Sequence, residues 1–281
     1  MAKTSAGNER VKLWRLPELG KVDLLRATYV TQTFPRHTHE GFAVGVIEHG
    51  ALGFFYRGEN VVAPAGFINL ANPGEPHTGH AAVETGWTYR MFYLDVDVLQ
   101  KAAHQMSGRL QDLPFFRAGV IHDERLAGLI LNLHRILEKG DASLLEKESG
   151  FLRMLAGLIA RHADAPPLLR STGRERLRIR RVREYIEEHF SEDIPLSMAA
   201  SIACLSPFHF LRVFSEETGL TPHAYLTQVR VRRAKALIEK GWQVAAAACE
   251  VGFTDQSHLT RHFKRITGIT PGYFSKIVQD G

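Results

Sequence analysis

Between Val22 and Leu94 the apolar residues come in short runs: Leu24 to Val30, Phe42 to Ile47, Leu52 to Tyr56, Asn60 to Val62, Phe67 to Leu70 and Thr88 to Leu94. Gly, Pro and Asn separate them, which predicts strands of a small antiparallel barrel or sandwich. After His122 the period changes. Leu126, Leu129, Ile130, Leu133 and Leu137 fall at helical spacing up to about Lys139. Beyond Gly140-Asp141 a second helix is expected from Ala142 to His162, carrying Leu145, Leu152, Leu155 and Ile159. The two helices form a hairpin that covers the barrel or pairs with another subunit. Residues 163–173, with Pro166-Pro167 and Ser171-Thr172-Gly173, read as a linker. Ahead of all this, Val11, Leu13, Trp14 and Leu16 give the terminal arm an apolar stripe. Such a stripe packs on its own domain.

The last hundred residues say one thing twice. Phe208 to Pro222 and Ser257 to Pro271 repeat His, Arg, Phe, Thr-Gly and Thr-Pro in register. Each copy is a helix: Phe210 and Phe214, and Leu259 and Phe263, share a face at i and i+4. Gly219 and Gly268 close the helices, and Pro222 and Pro271 open the next ones. A short small-residue helix precedes each copy (Met198 to Cys204, Val244 to Val251), with the second turn a residue longer than the first. Helix, tight turn, helix is the helix-turn-helix plan. One helix, Pro222 to about Glu239, joins the two units. At 1.5 Å per residue it spans roughly 27 Å, which suits two reading helices about one DNA turn apart.

Charge supports that assignment modestly. The net charge is +5, of which +4 falls from Asp164 onward (17 Lys+Arg against 13 Asp+Glu). Arg174 to Arg183 is a basic run that touches phosphate or forms a solvated face. The two cysteines, Cys204 and Cys249, are read as small buried apolar residues rather than a disulfide or metal pair. No apolar run reaches membrane-spanning length, and Met1 to Arg10 lacks the apolar core of a signal peptide, so the expected location is cytoplasmic.

The segment from Ile179 to Ile277 resembles the DNA-binding domain of the AraC/XylS family of transcription regulators. Ala248, Gly252-Phe253, Gln256-Ser257, Phe263-Lys264, Gly268 and Thr270-Pro271 carry the likeness. In the other half, His37-Thr38-His39-Glu40, Gly50, Gly66 and Pro73-Gly74-Glu75-Pro76-His77 resemble the two cupin motifs. The fold class implied is α+β and multidomain. The expected divisions are an arm with a cupin-like effector-sensing barrel (1–121), a helical hairpin for dimerisation (122–162), a linker (163–173) and a DNA-binding domain with two helix-turn-helix units (174–281). The resemblance implies a sequence-specific regulator, an activator, working as a homodimer with RNA polymerase and controlled by a small-molecule effector, over which the terminal arm can close. The rival is a metal-dependent cupin enzyme fused to a DNA-binding domain.

Expected DNA contacts are the exposed residues at the starts of the reading helices: Ser206, Phe208, His209 and Arg212, then Gln256, Ser257, His258 and Arg261. Arg suits guanine, Gln adenine, and Phe208 a thymine methyl. Expected effector contacts are His37, His39, His77, Trp87, Tyr89 and Met91. The last three share a strand face by alternation, and in the resembled family that face lines the cavity. No cofactor and no catalytic residue is expected. If a divalent metal binds, His37, His39 and His77 hold it, but Ala43 and Val44 stand where metal-binding cupins carry a Glu.

Overall fold

The computed structural model describes residues 9–20, 22–169 and 175–279. Residues 1–8 of the arm, Ser171 to Gly173 of the linker and Arg174 of the basic run lie outside them. The described chain divides into two compact units, 9–140 with 150–169, and 141–149 with 175–279.

The first unit is built on nine strands: β1 (Arg10–Leu16), β2 (Val22–Tyr29), β3 (Phe34–His37), β4 (Phe42–Tyr56), β5 (Glu59–Pro64), β6 (Ile68–Ala71), β7 (His77–Ala81), β8 (Trp87–Leu94) and β9 (Val120–Ile121). All pairings are antiparallel. One sheet runs β1-β2-β8-β4-β6-β9, and a second forms where β3 and β5 join through β7 and β4. The runs expected as two strands, Phe42 to Ile47 and Leu52 to Tyr56, are one. β4 crosses from the first sheet to the second at a register shift between Ile47 and His49, beside Gly50. Gly50 has φ +69°, and a Cβ there would meet Gly86 O at 1.9 Å, so only glycine permits this corner. The bend folds both sheets over one core containing Leu25, Ile47, Phe54, Trp87, Tyr89 and Met91.

The arm residues 10–16 do not close over a cavity. They form the edge strand β1, paired with β2 from Arg10↔Thr28 to Leu16↔Val22. Val11 and Leu13 stay 57% and 63% exposed, while Trp14 meets the His134 ring edge-on at 5.1 Å.

The helices of this unit are α1 (Val96–Ser107), which the hydropathy pattern did not predict, α2 (Glu124–Lys139) and, from Gly150 onward, α3 (Leu144–His162). α2 lies on the outer face of the first sheet, where His134 also meets Phe92 edge-on at 5.2 Å. Arg90, buried on β8, pairs with Glu48 of β4 at 2.9 Å and Glu138 of α2 at 2.6 Å. Asp123 caps α2 and accepts from Arg161 at 2.8 Å and His162 at 2.7 Å, closing the hairpin. The hairpin therefore covers its own sheet.

The second unit is all-helical: α4 (Arg176–Glu188), α5 (Leu196–Ile202), α6 (Pro207–Thr218), α7 (Pro222–Glu239), α8 (Val244–Glu250), α9 (Gln256–Thr267) and α10 (Pro271–Gln279). Residues 141–149, expected with the hairpin, belong to it. Glu148 accepts from the Leu196 N–H at 2.7 Å, and Glu146 lies 3.4 Å from His223.

The sequence repeat is a repeat of hydrogen bonds. In the first turn Cys204 N donates to Ser201 O at 2.9 Å and Leu205 N to Ala200 O at 3.0 Å. In the second, Gly252 N donates to Cys249 O at 3.1 Å and Phe253 N to Ala248 O at 3.0 Å. Ser206 and Asp255 then cap α6 and α9, each accepting from the N–H three residues on. Gly219 and Gly268 end those helices in the left-handed conformation, and Thr221 caps α7.

Both cysteines depart from expectation: they are exposed. Cys204 occupies the left-handed turn position that Gly252 fills in the second unit, and Cys249 lies just past the buried pair Ala247-Ala248. Among the described residues no single helix is long and apolar enough to cross a membrane.

Candidate functional sites

The two reading helices align residue by residue from their caps, so Phe208, His209 and Arg212 correspond to Ser257, His258 and Arg261. Their exposure separates them. Gln256, Ser257 and Arg261 are exposed, Ser206 and Arg212 are partly so, and three expected contacts are buried: Phe208 (6%), His209 (1%) and His258 (7%). Each has a structural reason. Phe208 is apolar and joins the core of its own unit. His209 sits 3.0 Å from Glu175. His258 is 3.0 Å from the Thr254 hydroxyl and packs edge-on against Phe253 at 5.1 Å. Burial, then the Arg261 charge, lowers the His258 pKa, so the ring stays neutral at pH 7. The repeat itself held the signal: four residues on, His209 aligns over Val213 and His258 over His262, and all four are buried.

Arg212 lies 3.5 Å from His209 and 4.0 Å from Glu216. Arg261 donates to Asp141 at 2.8 Å, an interaction that holds the carboxyl below its ordinary pKa. Lys264 and Arg265, one turn beyond Arg261, are also exposed, where the first unit has Ser215 and Glu216. The cationic outer face thus belongs to α9 more than to α6.

In the first unit, a cavity of about 140 Å³ opens between the sheets. His37, His39, His77, Trp87, Tyr89 and Met91 all line it, the last three from one face of β8. Phe34, Phe54, Asn69, Thr78 and Tyr93 complete the polar and aromatic lining and were not anticipated, although Tyr93 continues the same alternation. His37 ends β3 opposite His77 of β7, and His39 lies in the loop beyond rather than on the strand. Their ring centroids lie 4.4–5.0 Å apart, His37 and His39 edge-on and both tilted against His77. Burial, with His77 and His37 beside it, pushes the His39 pKa down to about 4. Burial also lowers that of His77, and it raises those of Tyr89 and, to about 12, Tyr93. Ala43 lines the cavity, and no residue lining it carries a carboxylate.

A β domain with an internal cavity, followed by two helix-turn-helix units, has the plan of a one-component DNA-binding regulator. Residues 19–155 match the AraC-like ligand binding domain, and 199–277 match a helix-turn-helix domain. The chain is 31% identical over 238 residues to the uncharacterized HTH-type transcriptional regulator YbfI of Bacillus subtilis, covering 85% of this chain and 86% of that one. It is 23% identical to the HTH-type transcriptional activator RhaS of Enterobacter (83% and 84%) and 24% identical to the arabinose operon regulatory protein of Escherichia coli (78% and 74%). The chain belongs to the AraC family of transcriptional regulators. The relatives matched along both domains are regulators, not enzymes.

Proposed function

We propose that this regulator reads DNA chiefly through α9, with Gln256, Ser257 and Arg261 in one major groove and Arg212 and Ser206 of α6 serving the next. The observation that carries this is the exposure of those side chains on helices related by an internal repeat. Gln pairs with adenine and Arg with guanine in the major groove, and Lys264 and Arg265 supply phosphate contacts. The cavity behind His39 and His77 is the effector site. Its aromatic lining suits a small molecule with an apolar body and one polar end. The chain acts as an activator, as the name of the RhaS relative suggests, in a homodimer that engages RNA polymerase in the cytoplasm.

Footprinting with the full chain, on operators with either half scrambled, tests the DNA assignment. Arg261→Ala should cost about 1–3 kcal/mol and relax preference in one half only. Equal losses on all sequences would reduce Arg261 to a phosphate contact.

A further inference from the structure

We infer that His37, His39 and His77 form a binding site for a divalent first-row transition-metal ion, open to the apolar cavity. The inference deepens the effector-site reading by naming what would anchor the ligand there. The candidate ligand nitrogens of the three rings all lie within 4.8 Å of one another. Zinc–imidazole bonds of about 2.1 Å place tetrahedral donors roughly 3.4 Å apart, so small side-chain rotations bring the three into range.

The backbone has already set the tautomer of two of them. His37 Nδ1 is 2.8 Å from Pro35 O, and His77 Nδ1 is 3.0 Å from Glu75 O. A carbonyl oxygen only accepts, so each Nδ1 carries the proton. Each Nε2 is left with its lone pair. Metal-ligating histidines commonly have this arrangement, with one ring nitrogen donating to an acceptor such as a backbone carbonyl and the other free for metal. The two carbonyls each lie two residues before their histidine, so β3 and β7 present the same local geometry from opposite strands. Three neutral donors bring no charge of their own. Ala43 faces the cavity, and no carboxylate lines it. The bound ion would keep its positive charge and at least one coordination position not filled by these donors, in a cavity that Trp87, Tyr89 and Met91 also line. A molecule with a carboxylate or similar anionic oxygen and an apolar body fits that position.

The full-length protein, stripped with chelator and dialysed, is titrated with Co²⁺ and followed by its visible d–d absorption, with Zn²⁺ competition giving the stoichiometry. We expect one ion per chain, at least tenfold weaker binding in His77→Ala and in His37→Gln, and no change in His80→Ala, whose exposed ring is not in the cluster. Far-ultraviolet circular dichroism of each variant verifies its fold. Benzoate added to the Co²⁺ form should shift the absorption bands. Absence of stoichiometric binding, or binding that survives His77→Ala in a folded variant, overturns the metal site. Bands that benzoate leaves unmoved overturn the ligand class and leave the metal site standing. None of these readings depends on DNA, so a failed operator assignment remains distinguishable.

Discussion

His209 Nε2 lies 3.0 Å from the Glu175 carboxylate, with the histidine 1% exposed, so a residue at the start of a reading helix is spent on holding the domain together. His209→Ala should therefore destabilise the DNA-binding unit by about 1–3 kcal/mol, because it removes a charge-assisted bond and leaves Glu175 without it. Operator preference should be unchanged in the fraction that stays folded. Chemical denaturation and binding to scrambled operators measure the two effects. A loss of base preference at full stability would return His209 to the DNA interface.

Arg261 is held by Asp141 at 2.8 Å, and a base-reading Arg261 must give up that bond. Both side chains are partly exposed, so the pair is worth about 0.2–1 kcal/mol. Asp141→Asn should tighten operator binding by up to about fivefold at low salt. The gain should vanish in the Arg261→Ala background. Fluorescence anisotropy of the full chain checks this, and an unchanged affinity would mean the pair does not compete with DNA.

The two turn residues Cys204 (φ +52°) and Gly252 (φ +86°) predict opposite outcomes for reciprocal changes. A Cβ on Gly252 would sit 2.5 Å from Ser191 O, so Gly252→Ala should cost roughly 1–3 kcal/mol. Cys204→Gly removes left-handed strain of about 1–2 kcal/mol and adds unfolded-state entropy of about half that. Its melting temperature should hold or rise. A clear drop would show that the Cys204 side chain supports the turn.

Acid should loosen the first unit at Glu138. Burial alone would raise its pKa, but the hydrogen bond and charge of Arg90, with Lys12, bring it down to about 2 from the ordinary 4.5. A carboxylate with a depressed folded pKa contributes stability above about pH 4.5 and loses it as pH falls toward 2. Melting temperatures of the wild type should fall more steeply across that window than those of Glu138→Gln. At neutral pH the variant should be the less stable by about 1–3 kcal/mol, since of its two carboxylate partners Arg90 keeps Glu48 alone, beside the neutral ring of His134. Parallel pH profiles would remove Glu138 from the acid response.

The sequence by itself determined the helix-turn-helix pair, because its signals are local. Gly219 and Gly268 cap, Pro222 and Pro271 restart, and paired apolar residues four apart repeat within one or two turns of helix. It also placed Trp87, Tyr89 and Met91 on one face of β8 by alternation, but not which face meets the cavity, since Arg90, Phe92 and Leu94 on the other face are buried as well. The tertiary structure alone decided the rest. Whether a polar residue at a helix start faces solvent depends on what packs beside it, and for His209 the partner, Glu175, is far away in the chain. β4 is one strand because Gly50 turns a corner against Gly86, a long-range contact that hydropathy cannot register. The three histidines meet because β3 and β7 pair at His37↔His77. Register across a sheet is set by the packing of both its faces, and no single stretch of chain encodes it.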